Sequence, residues 1–209
     1  MLGPNQVIGP LGAGGMGEVY RARDTRLGRD VAMKFLPEGF VSDADRLRRF
    51  QQEAHAIAAL NHPHVCQRYD IGPNYLVMEY IEGQPLQCPL PVDEALRLAI
   101  QIASALEEAH SIIHRDLKPG NIMVGTKSGV KLLDFGLARF TDAEATQTLD
   151  GLIVGTCGYM SPEQATGMPI AQRSDIFSFG AVRAPCHRSY SRCTAIREFS
   201  TISTLAEPG

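Results

Sequence analysis

Ile112-Ile113-His114-Arg115-Asp116-Leu117-Lys118-Pro119-Gly120-Asn121 constrains this chain more than any other stretch of its 209 residues. Fixed, mostly rare residues at His114, Arg115, Asp116, Leu117 and Asn121 arise together by chance on the order of once in ten thousand chains or less. Asp116 and Asn121, five apart, read as lying on a constrained loop. A carboxylate and an amide spaced this way divide two tasks between them. One accepts or orients a hydroxyl proton, and the other offers a hard oxygen to a divalent cation.

A second carboxylate follows in Leu132-Leu133-Asp134-Phe135-Gly136, at the end of an apolar run. Asp134 supplies another hard oxygen, and Gly136 permits a sharp reversal of the chain. Upstream, Val31-Ala32-Met33-Lys34 puts a lysine inside an apolar strand. Such a lysine either reaches out to solvent or meets a charge. Glu53, on the apolar side of the next helix near Phe50 and Ala54, is a candidate partner. Gly12-x-Gly14-x-x-Gly17 has the form of a loop whose backbone N–H groups approach phosphate oxygens. Taken alone it reads equally as a flexible hairpin turn. A dinucleotide-binding loop needs a helix directly after the glycines, and Glu18-Val19-Tyr20 continues as strand instead.

The rest of the pattern predicts two regions. Val7-Ile8, Val19-Tyr20, Val31–Leu36, Val65–Tyr69 and Tyr75–Met78 read as strands, and spacings of three and four from Leu47 to Ala58 predict a helix over about 44–60. Residues 83–91 read as a linker. Asp93-Glu94 opens a long helix ending near His110, with Leu96, Ala99, Ile100, Ala103 and Leu106 as its expected buried face. Residues 122–124 and 130–133 form a hairpin, 141–155 a polar turn-rich loop, and Ser161-Pro162-Glu163 and Ser174–Ala181 begin two more helices. Residues 183–209 carry no sustained period and read as poorly ordered.

The glycine loop, Val31-Ala32-Met33-Lys34, His114–Asn121 and Asp134-Phe135-Gly136 occur in the order and rough spacing of the eukaryotic-like protein kinases. The resemblance covers roughly residues 7–182. The wording around Gly12–Asp24 and in Gly158-Tyr159-Met160-Ser161-Pro162-Glu163 resembles bacterial serine/threonine kinases in particular. It implies an α+β, bilobal kinase-like fold within 1–182: a strand-rich N-lobe with one helix over about 1–80, and an incomplete, mainly helical C-lobe over about 86–182. It also implies transfer of the γ-phosphate of ATP, with Mg²⁺, to a protein serine or threonine hydroxyl. Gly12, Gly14 and Gly17 would cover the phosphates, and Val19, Ala32 and Met123 would enclose the adenine. Lys34 would bind phosphate and pair with Glu53; Met78 would be the gatekeeper, with Glu79, Tyr80 and Ile81 as the hinge. Asp116 would be the catalytic base, Lys118 would steady the γ-phosphate, and Asn121 and Asp134 would hold Mg²⁺. Thr156 would touch Asp116 and Lys118, Asp175 would brace the catalytic loop, and Thr146 and Thr148 are candidate phosphosites.

Composition removes other classes. A net charge of −3 offers no basic field for nucleic acid, and no window approaches a membrane span. Five cysteines without a C-x-x-C pair, and no secretory leader, fit reduced thiols in a cytoplasm. The resemblance weakens after Val182, where helix-like apolar residues stop and Glu163 finds no arginine in a matching context. A frameshifted or truncated gene is the expectation this raises. The competing readings are a nucleotide-binding pseudokinase and a non-functional kinase fragment.

Overall fold

A computed structural model describes residues 3–14, 17–37, 44–109, 112–135 and 157–186. The upper part is an antiparallel sheet of β1 (Asn5–Gly14), β2 (Gly17–Asp24), β3 (Arg29–Phe35), β4 (Arg68–Ile71) and β5 (Tyr75–Glu79), in the order β1-β2-β3-β5-β4. Alternation along the central strands sorts side chains to two faces. Val31, Met33, Tyr75 and Val77 pack with Ala22 on one, while Ala32, Leu76 and Met78 pack on the other with Phe50 and Ala54. These last two, four residues apart, lie on one stripe of helix α1 (Ala44–Ala58). Ile57, one turn on, reaches the lower core instead.

The lower part holds β6 (Gly83–Pro85), β7 (Ile122–Gly125) and β8 (Gly129–Leu132), paired in that order. Its helices are α2 (Val92–Glu108), α3 (Pro162–Ala165) and α4 (Gln172–Cys186). β6 corrects the linker expected over 83–91: Gly83 lies against the backbone of Val124, where a Cβ would come within 2.3 Å of the carbonyl oxygen. The strand expected from Val65 starts later. Val65 bridges to Leu132 in parallel, flanked by bonds from Cys66 N to Leu132 O and from Leu132 N to His64 O, and β4 begins only at Arg68.

Helix α2 is where expected, but a different face is buried. Leu98, Ile102, Ala105 and Ala109 enter the core, whereas Leu96 is 43% and Ile100 70% exposed. The helix carries apolar residues on more than one side, so periodicity alone leaves its orientation open; contact with Leu117, Val130, Leu132 and Val182 decides it. Each large aliphatic residue so buried contributes roughly 1.5–3 kcal/mol. Helix α3 starts with a capping box in which Ser161 and Gln164 exchange side-chain and backbone bonds. Cys88, half-buried against the lower core, is disulfide-bonded, which differs from the expectation of reduced thiols. Among the described residues no helix is long and apolar enough to cross a membrane.

Candidate active site

The loop between α2 and β7 is rigid for reasons visible residue by residue. Arg115 adopts φ 69°, a left-handed conformation that costs a non-glycine residue about 1–2 kcal/mol. Asp175, on α4, holds it: its carboxylate accepts the backbone N–H of His114 at 2.7 Å and of Arg115 at 2.9 Å. Gln164 of α3 donates to the Arg115 carbonyl at 2.7 Å. The His114 ring is fully buried against Phe135, with centroids 4.6 Å apart. Its Nδ1 accepts the Asp116 N–H at 3.4 Å, and burial, outweighing the nearby carboxylates, holds its pKa below the ordinary value.

These constraints deliver three polar side chains to one place. Asp116 is buried, and its Oδ2 lies 2.7 Å from Lys118 Nζ and 2.9 Å from Asn121 Nδ2. Asn121 Nδ2 also donates to the Asp116 carbonyl at 2.7 Å, which leaves the amide oxygen as the group Asn121 can present to a cation. The Asn121 carbonyl accepts the Leu133 N–H at 2.9 Å, tying this loop to the chain just before Asp134.

Asp134 also has a left-handed backbone, φ 53°. Its Oδ2 lies 2.7 Å from Nζ of Lys34, one hundred residues earlier on β3 and only 4% exposed. Burial alone would raise the Asp134 pKa; the Lys34 ammonium, helped by the charge of Arg68, overcomes it and holds the carboxyl below the usual range. Glu53 lies on α1, but its side chain is outside the described residues. Thr156, Thr146, Thr148 and Gly136 are outside them too.

Above this polar cluster, Ala32 and Met78 are buried in one apolar group, with Val19, Ile81 and Leu133 packed against it. Met123 lies on β7, opposite Pro85 and Lys131. Glu79 ends β5 with its carboxylate 2.7 Å from Lys131 Nζ. Cys66 sits against the Glu79 carbonyl, 3.8 Å from its Sγ, with its thiol pushed up by burial to about 12, which makes it unreactive. Gly12 and Gly14 end β1 and Gly17 starts β2, with Gly14 paired to Gly17. At Gly17 the backbone has φ 104°, and an added Cβ would lie 1.8 Å from the Phe35 carbonyl oxygen. Only glycine fits there.

Sequence reasoning missed Gln164, Arg68 and Lys131 as supports of the site. It also found no partner for Glu163; the structure supplies a hydroxyl, Ser174 Oγ, at 2.5 Å, which keeps that carboxyl below its usual range.

The protein kinase domain family model matches residues 6–196. The probable serine/threonine-protein kinase PknB of Bifidobacterium longum is 42% identical over 194 residues, covering 82% of this chain and 28% of that protein. The serine/threonine-protein kinase PknA of Mycobacterium tuberculosis is 41% identical over 189 residues, covering 82% of this chain and 44% of its own. The chain thus spans less than half the length of these curated relatives. The crystal structure of the Mycobacterium tuberculosis PknI kinase domain superposes with a TM-score of 0.70 at 26% identity, covering 96% of this chain and 84% of that one. Together with the fold, the Lys34–Asp134 pair and the Asp116–Lys118 pair, these likenesses establish that the chain belongs to the protein kinase domain family.

Proposed function

We propose that this domain transfers the γ-phosphate of ATP, the nucleotide a protein kinase domain uses, to a serine or threonine hydroxyl of a protein. The observation that carries the reading is the ion pair between Lys34 of the upper sheet and Asp134 of the lower part, beside the bonded trio Asp116, Lys118 and Asn121. Positioning and charge, rather than covalent chemistry, are what phosphoryl transfer asks of a protein.

In this reading Val19, Ala32, Met78 and Ile81 enclose the adenine, with Glu79 offering hinge backbone and Met123 packing below. Gly12, Gly14 and Gly17 lie over the phosphates, where Gly17 admits no side chain. Lys34 moves part of its charge from Asp134 to a phosphate oxygen, and the Glu53 side chain is its second partner. Asp116 has Oδ2 committed to Lys118 and Asn121, so Oδ1 orients the substrate hydroxyl and takes its proton. Lys118 neutralises charge on the transferring group, and Thr156 steadies both. The donors fit Mg²⁺: the Asp134 carboxylate and the Asn121 amide oxygen are hard oxygens on segments joined by the Leu133–Asn121 bond, and Mg²⁺ sites commonly take few protein ligands. Mg²⁺ at that position would draw off negative charge from the phosphates.

The domain is proposed to occupy 1–182 and to work in the cytoplasm on a protein substrate, without nucleic acid. Incubation with γ-labelled ATP, Mg²⁺ and a generic basic protein substrate tests the reading. Label on serine and threonine, lost in Asp134→Ala and Asp116→Asn, is expected. Nucleotide binding without any transfer would replace it with the pseudokinase reading, and near-wild-type transfer by Asp134→Ala would overturn the assigned chemistry.

A further inference from the structure

Arg68 opens β4 opposite Met78 of β5, and it is 8% exposed. A guanidinium at a buried strand position loses its hydration, a cost met only where its donors find partners. Its Nη2 donates to the backbone carbonyl of Phe135 at 3.0 Å, sixty-seven residues along the chain.

That carbonyl belongs to Phe135, the residue just after the left-handed Asp134. A conformation of this kind persists only where its surroundings impose it. The carboxylate of Asp134 is held by Lys34, the ring of Phe135 by His114, and the Leu133 N–H by Asn121. The Phe135 carbonyl is held by Arg68. Two cations from neighbouring parts of the upper sheet, Lys34 on β3 and Arg68 on β4, therefore reach the same turn, one through a side chain and one through the backbone.

We propose that Arg68 is a positioning residue: by pinning the Phe135 carbonyl it holds the Asp134 backbone in the one conformation that aims its carboxylate at the bound Mg²⁺ and phosphates. The role rests on the kinase reading above. It touches no reacting atom, and it acts through the carbonyl of the residue that follows Asp134.

The test compares the full chain with Arg68→Met, which keeps length without the donor, and Arg68→Lys, which keeps a donor. Hydrogen exchange of the peptide covering 130–135, in protein without nucleotide, should quicken about tenfold in Arg68→Met while β1–β3 are unchanged. The Mg²⁺ concentration for half-maximal transfer should rise at least about threefold, with the KM for ATP within about twofold. Arg68→Lys should recover part of both. Unchanged exchange over 130–135 together with unchanged Mg²⁺ dependence overturns the proposal. If wild type transfers no phosphate, the kinase reading fails for this chain, and the exchange experiment still decides on Arg68. If Arg68→Met does not fold, Arg68→Lys is judged on the same two readouts.

Discussion

Gln164 donates its side-chain N–H to the carbonyl of Arg115 at 2.7 Å, from a four-residue helix to a residue forty-nine positions earlier. With Asp175 on the Arg115 N–H, both sides of a left-handed residue are held. Gln164→Ala should therefore loosen the catalytic loop without touching the nucleotide. We expect kcat to fall about tenfold with little change in the KM for ATP, the pattern of an interaction that matters only in the transition state. Equal losses in nucleotide binding and turnover would contradict it.

Lys34 pairs with Asp134 and, in the proposed reading, with a phosphate of the nucleotide as well. ATP with Mg²⁺ at about one hundred times Kd should stabilise the wild-type chain by roughly 2.7 kcal/mol, or about 5–10 °C in Tm for a domain this size. Lys34→Met should abolish most of that shift. A scanning-fluorimetry comparison settles it, and an undiminished shift in the variant would remove Lys34 from the phosphate site.

The glycine positions are predicted to differ from one another. A Cβ on Gly17 would overlap the Phe35 carbonyl at φ 104°, whereas one on Gly12 meets nothing within 4 Å. Gly17→Ala should lose about 1–3 kcal/mol of stability and Gly12→Ala under about 0.5 kcal/mol. Chemical denaturation of the two variants provides the measurement; similar midpoints would mean the turn relaxes to admit the methyl group.

His62 joins the segment after α1 to α2. Its Nδ1 accepts the His64 N–H at 3.2 Å, so the ring proton lies on Nε2, 3.1 Å from Ser104 Oγ. Protonating Nδ1 breaks the first of these bonds. Burial first, then the neighbouring His64, lowers the His62 pKa, while Glu108 opposes them. A lowered folded-state value means the unfolded chain binds the extra proton more readily. The stability from neutral His62 is thus complete above the ordinary value near 6.5 and is lost as pH falls from there toward the folded value. Buried His114 shifts the same way. Tm should drop between pH 7.5 and 5.5, and His62→Gln should flatten part of the slope. An identical slope in the variant would assign the effect elsewhere.

How much could be read from the sequence follows the distance over which each feature is built. The loop from His114 to Asn121 was legible because its parts are adjacent in the chain, although the Asp175 and Gln164 bonds that hold it were not. The partner of Lys34 was less so. Glu53 was the sequence's candidate, while the bond to Asp134 spans one hundred residues and exists only once the two sheets face each other. Helix α2 was legible as a helix and not as a face, because Leu96 and Ile100 compete with Leu98 and Ile102 for the core. Arg68 gave no signal: in the run Val65–Tyr69 an arginine looks like a solvated side chain, and only burial against the Phe135 carbonyl gives it a task. Three-residue β6 is too short to show a period at all.

The stitching of His64 and Cys66 onto Leu132 places a fulcrum between the two sheets, two residues before Asp134. In the strand order β1-β2-β3-β5-β4, the glycine-bearing ends of β1 and β2 lie at the opposite edge from the strand nearest that fulcrum. Rocking of the upper sheet about it would give the glycine tip the longest lever arm and Asp134 almost none. In the proposed reading, a nucleotide would then enter and leave under the glycines while the carboxylate beneath them kept its aim.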